Sequence, residues 1–85
     1  MKTCFYHTAG FCQPCKRLKP MAKRIADEMG ATFIEVDIEV QQPILPEIAS
    51  IPTVVIYGPD SGEPEATLTP SMLTAYSLRK VLTNG

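Results

Sequence analysis

The sequence predicts an α/β fold: a four-stranded mixed sheet with about three helices spread over both faces. Three observations carry this reading. A short strand runs straight into a Cys-x-x-Cys pair and then into an apolar stripe at helical spacing. A second strand follows the stripe, which implies a parallel pair joined by a right-handed crossover. A continuous β-branched run, a turn and a closing helix complete the chain.

Residues 3–8 read as the first strand, with Cys4, Phe5 and Tyr6 at its centre. Ala9-Gly10-Phe11 breaks that pattern. From Cys12 the chain reads as a helix, because Leu18, Met21, Ala22, Ile25 and Met29 recur at three- and four-residue steps. Gly30 is the expected stop. Lys16, Arg17, Lys19, Lys23, Arg24, Asp27 and Glu28 occupy the opposite face. Thr32 to Ile38 reads as the second strand, with Ile34, Val36 and Ile38 alternating against Glu35 and Asp37. Pro43 and Pro46 limit any helix in residues 39–51 to something short or irregular. Thr53 to Tyr57 is a buried strand by its β-branched composition. Gly58-Pro59-Asp60-Ser61-Gly62 is a turn, and Glu65 to Leu68 a short edge strand. Thr69-Pro70 looks like an N-cap with proline at the first helical position. The last helix would run to about Leu82, with Met72, Ala75, Leu78 and Leu82 inward. The order is β-α-β-(α)-β-β-α.

The 85 residues make one small domain, 1–85. A hydrophobic fraction of 45% is enough for a core. Lys and Arg number 8 against 9 Asp and Glu, a net charge of -1, so bulk charge points to neither nucleic acid nor a membrane surface. No apolar run approaches the ~20 residues of a membrane span. The N-terminal residues show no apolar stretch ahead of a small-residue cleavage site, so the expectation is a protein of the reducing cytoplasm. With 3 cysteines there is no disulfide framework. A close pair in such a compartment is more often catalytic or metal-binding.

The chemistry centres on Cys12-Gln13-Pro14-Cys15 at a strand-to-helix junction. Thiolate, not thiol, attacks a disulfide, and a helix N-terminus favours the anion. Two intervening residues let the second thiol close a disulfide. Cys12 is therefore the nucleophile and Cys15 the resolving thiol. Pro14 stiffens the turn. Lys16 and its basic neighbours would help stabilise the thiolate, within a screening length of roughly 8–10 Å.

These motifs resemble the thioredoxin family. Phe11-Cys12-Gln13-Pro14-Cys15-Lys16 is similar to the family's Trp-Cys-Gly-Pro-Cys-Lys. Pro20 matches a proline inside its active-site helix, Asp37 its Val-Asp segment, and Ser50-Ile51-Pro52-Thr53 its Ile-Pro-Thr motif. The resemblance implies a thioredoxin fold of minimal, glutaredoxin-like length, lacking the family's extra N-terminal strand and helix. It implies that Pro52 is cis beside the disulfide. The backbone of Ile51 would pair with an extended substrate, with Phe11, Gln13, Pro14 and Thr53 at the rim. It implies a protein-disulfide reductase that needs no bound cofactor and acts as a monomer. An NADPH-linked flavoprotein disulfide reductase would recharge it, and ribonucleotide reductase would be a candidate substrate. Gln13 replaces the family's glycine. Tyr6 stands where the family has a buried aspartate that serves the second cysteine, and a phenol of ordinary pKa near ~10 is a poor base. Thr69 or Pro70 replaces a groove glycine, and no Gly-Gly-x-Asp segment is present to hold glutathione.

Two other readings stay open at this point. Cys4-x-x-His7 with Cys12-x-x-Cys15 supplies four zinc-ligand types, although strand alternation puts Cys4 and His7 on opposite faces. A non-catalytic interaction protein would use the fold as a scaffold. In the bland reading, Cys4 and His7 are core residues, the basic helix face is solvated, and Tyr57 and Tyr76 pack.

Overall fold

The computed structural model describes residues 1–60 and 62–83; Ser61 of the expected turn lies outside them. The elements run β1 (Thr3–Thr8), α1 (Gln13–Glu28), β2 (Thr32–Asp37), β3 (Thr53–Tyr57), β4 (Pro64–Leu68), a 3-10 turn (Pro70–Met72) and α2 (Ala75–Thr83). The sheet order is β2-β1-β3-β4. β1 pairs in parallel with β2 and antiparallel with β3, and β3 pairs antiparallel with β4.

Alternation along β1 divides the molecule. Cys4 and Tyr6 point to one face, where they meet Val54, Ile56 and Leu68 of the sheet, Ala22, Ile25 and Ala26 of α1, and Leu73, Leu78 and Leu82. Ile25 is fully buried, and a side chain of that size contributes about 1.5–3 kcal/mol on leaving water. Register puts Phe5 and His7 on the other face with Val36, Thr53 and Val55.

Both α-helices therefore share one face, and the expected helices on both faces are corrected to that. Residues 39–51 form turns and no helix. Pro43 and Pro46 remove two backbone donors within four positions, which a helix there cannot tolerate. This irregular segment covers the second face, where Ile44 reaches His7.

α1 ends as read. Gly30 has φ 73°, open to glycine without strain. Its N–H bonds the Asp27 carbonyl at 3.2 Å while Ala31 N–H bonds the Ala26 carbonyl at 2.8 Å, a Schellman closure. The start of α2 differs from the expectation. Thr69-Pro70 opens only the 3-10 turn, and Thr69 makes no side-chain cap bond. The cap is Thr74, whose Oγ1 accepts from Ser77 N–H at 3.1 Å. The break lets Leu73 enter the core, whereas Met72, expected inward, is 49% exposed. Tyr57 packs edge-on against Phe5, but Tyr76 is 74% exposed and does not pack. On β2, an edge strand, Ile34 stays half-covered while Phe33 stacks beside Tyr6.

Candidate functional site

The site lies where β1 gives way to α1. Cys12 N–H bonds the Ala9 carbonyl at 3.1 Å, which closes the turn. Cys12 then caps α1 with its own sulfur: Sγ accepts from Cys15 N–H at 3.2 Å. The sulfur thus occupies the place of an N-cap oxygen, where backbone donors favour negative charge. Pro14 sits in the first turn, where a missing N–H costs nothing.

Cys12 and Cys15 form a disulfide with 5.3 Å between their Cα atoms. The bond is asymmetric towards solvent. Cys12 keeps 7% of its surface, and Cys15 keeps none. Ala9 completes this small cluster, and Ile38 and Ile51 pack against it. The Ile51–Pro52 peptide bond is cis, and Pro52 is fully buried.

The remaining residues named from sequence divide. Phe11 is 71% exposed, and Gln13, Pro14 and Lys16 are exposed. Thr53, expected at the rim, is buried instead; its hydroxyl donates to the Ser50 carbonyl at 2.7 Å and closes the turn around Pro52. Lys16 lines a cleft of about 230 Å³ with Thr8, Cys15, Lys19, Glu35 and Asp37. Lys19 and Glu35 pair there at 2.9 Å. A larger groove along α2 is lined by none of the site residues.

Sequence reasoning set Tyr6 aside as a poor base, and the structure gives it a different place. Its hydroxyl donates to the Cys15 carbonyl at 2.7 Å. Burial, with the Glu35 carboxylate adding to it, pushes the phenol up to about 12, so it keeps its proton. Glu39 was missed altogether: its Oε1 accepts from Gly10 N–H at 2.8 Å and fastens the loop before Phe11. Nothing in a glutamate between two apolar residues announces such a bond.

The zinc set does not assemble. Cys4 lies in the core under the helices, and burial pushes its thiol up to about 11. His7 lies on the opposite face, with both ring nitrogens engaged by Thr53 and Ile44. Among the described residues, no three His, Cys, Asp or Glu side chains form a cluster able to hold a metal ion.

A dithiol/disulfide couple that caps a helix on this sheet is the equipment of the thiol–disulfide oxidoreductases. The family model for thioredoxin matches residues 3–83. The chain belongs to the thioredoxin family. It is 36% identical over 53 residues to Thioredoxin-2 of Dictyostelium discoideum, covering 59% of this chain and 60% of that protein. Thioredoxin-3 of the same organism is 36% identical over 70 residues, covering 72% of this chain and 67% of that protein. The chain therefore spans about 60% of the length of the first of these relatives. A thioredoxin variant from Halobacterium salinarum superposes with a TM-score of 0.80 at 19% identity, covering 95% of this chain and 71% of that one, a likeness of fold.

Proposed function

We propose that this protein reduces disulfide bonds in other proteins. The observation that supports this reading best is the asymmetry of the pair. Cys12 keeps a small exposed margin, 7% of its surface, with its Sγ under a backbone donor, and Cys15 is sealed behind it.

In the reduced protein, the Cys12 thiolate attacks one sulfur of a substrate disulfide. A mixed disulfide forms, and the other substrate sulfur leaves as thiolate. Cys15 gives up its proton through the polar cleft behind it and attacks Cys12 Sγ. The Cys12–Cys15 bond closes and the second substrate thiolate leaves. Two electrons pass to the substrate, which takes up two protons as its thiolates are protonated. The dithiol carries the electrons itself. Ile51 and Pro52 would present the docking edge, flanked by Phe11, Gln13 and Pro14, with Thr53 holding that turn from within and Lys16 adding positive charge. The reading places the protein in a reducing compartment such as the cytoplasm, where a flavoprotein disulfide reductase returns the electrons. Ribonucleotide reductase is one enzyme of the substrate class.

The test combines turnover, trapping and potential. Reduction of an insulin interchain disulfide is expected for the native chain and lost in Cys12→Ser. Cys15→Ser should accumulate mixed disulfides at Cys12, seen by mass. The potential should lie near the ~-270 mV of a general reductant. A value near ~-120 mV would mark an oxidant and sink the proposal.

A further inference from the structure

His7 is the chain's only histidine. It is fully buried, and the chemistry of the disulfide makes no use of it. Two hydrogen bonds tie its ring to backbone distant in the chain. Nδ1 lies 3.0 Å from the Thr53 carbonyl. Nε2 accepts from Ile44 N–H at 3.1 Å. A carbonyl can only accept and an amide N–H can only donate. Together they require one tautomer of the neutral ring, with the proton on Nδ1.

The partners are far apart in the chain. Thr53 opens β3 immediately after Pro52, and Ile44 lies in the irregular segment that covers the second face of the sheet. Ile51, at the end of that segment, packs against the disulfide cluster. The segment has no helix to hold it. Its backbone bonds include Ile38 N–H to Thr8, Val40 and Gln41 N–H to Asp37, and Ile48 N–H to Leu45. Apart from the first, these are local turns. Among the described residues, the His7 ring is the side chain of β1 that hydrogen-bonds the stretch between Ile38 and Thr53 to the sheet.

We propose that His7 is a positioning residue: its neutral ring clasps Ile44 to Thr53 and so holds the Ile51–Pro52 edge against the Cys12–Cys15 disulfide. The proposal rests on the reading of that edge as the substrate-docking surface. A proton added at Nε2 would face the Ile44 N–H, so the clasp opens on protonation. The register neighbours of His7 are Val36 on β2 and Thr53 on β3, with Ile34 and Val55 a step away on the same face. None of them is ionisable. On the covering segment the ionisable side chains are Glu39 and Glu47; Glu39 is engaged with Gly10, and Glu47 is exposed. No charged neighbour is placed to hold a protonated ring. Burial accordingly lowers the pKa of His7 from the ordinary 6.5, against the opposing effect of backbone bonding at Thr53 and Phe5.

The test uses the single histidine as its own probe. The imidazole nitrogen signals of the whole protein, read by NMR, should report the Nδ1–H tautomer. On acidification, the His7 ring and the Ile44 amide should titrate together at a midpoint below 6.5. The KM for an insulin disulfide should rise about three- to tenfold through the same midpoint, the scale of one lost hydrogen bond. Reduction of a small aromatic disulfide, which needs no docking edge, should show no step there. His7→Asn keeps a donor for Thr53 and loses the acceptor for Ile44. It should have the raised KM at every pH, faster hydrogen exchange at Ile44 and an unchanged Cys12–Cys15 potential. The Nε2–H tautomer, or an Ile44 amide silent through the His7 titration, would overturn the clasp. So would a flat KM in an active protein. A native protein that turns over no protein disulfide at any pH would instead overturn the reductase reading.

Discussion

The hydroxyl of Tyr6 donates a hydrogen bond of 2.7 Å to the backbone carbonyl of Cys15. A strand buried beneath the site thereby holds the first turn of the helix that carries it. That turn lies just ahead of Pro20, which cannot donate to the Lys16 carbonyl. Tyr6→Phe keeps the ring and its stacking on Phe33, and removes only the donor. Urea unfolding of the oxidised protein should show a loss of about 0.5–1.5 kcal/mol, the net contribution of one buried hydrogen bond, since the Cys15 carbonyl keeps its helical partner at Lys19. A loss under ~0.5 kcal/mol would mean that the bond adds nothing to the fold.

Phe11 stands 71% exposed one residue before the nucleophile. Phe11→Ala should leave stability within about 0.5 kcal/mol of the native value, as exposed positions do. The KM for a protein disulfide should rise severalfold, since an exposed aromatic beside a site is an anchor for a partner. Reduction of a small disulfide should be unaffected. Equal losses on both substrates would show that Phe11 acts on the disulfide and not on docking.

Two threonines near α2 carry opposite expectations. Thr74 caps the helix through Ser77 N–H, so Thr74→Ala should cost about 1 kcal/mol. Thr69 makes no cap bond, so Thr69→Ala should fall near zero. Thermal melts of the two variants decide the matter, and the reverse order would return the cap to Thr69.

Two buried acids set the alkaline limit of the fold. Burial raises Cys4 from 9.0 to about 11 and Tyr6 from 10.0 to about 12. Between the unfolded and folded values, the native chain holds more protons than the unfolded one. Stability is therefore intact below pH 9 and declines as pH climbs through 9 to 12. Denaturant midpoints across this range test it, and Cys4→Ala should remove the earlier part of the decline. The buried histidine works at the other end. Its lowered folded pKa makes the unfolded state the better proton binder below 6.5, so stability falls as pH drops beneath that value.

Much of the molecule was legible in the sequence because its signals are local. Three- and four-residue apolar spacing marked α1, a glycine able to take positive φ marked its end, and β-branched composition marked β3. The Cys-x-x-Cys pair at a strand-to-helix junction declared the chemistry, because two residues between thiols and a free helix end are sequence properties. The errors fell where local signals compete. Thr69-Pro70 and Thr74-x-x-Ser77 are both credible helix starts, and only the need to bury Leu73 selected the second. The two prolines in residues 39–51 warned against a helix but could not say what would cover the bare face of the sheet.

Tertiary structure alone decided which side chains share an environment. Parity along β1 sent Cys4 and Tyr6 under the helices and His7 to the opposite face. Pairing with β3 then brought Thr53 to His7 across 46 positions, and the covering segment brought Ile44. A tyrosine, a histidine and a glutamate have no fixed task in a sequence, since each can donate, accept or stay solvated. The task is set by which backbone groups the fold leaves in need of a partner and within about 3 Å of reach.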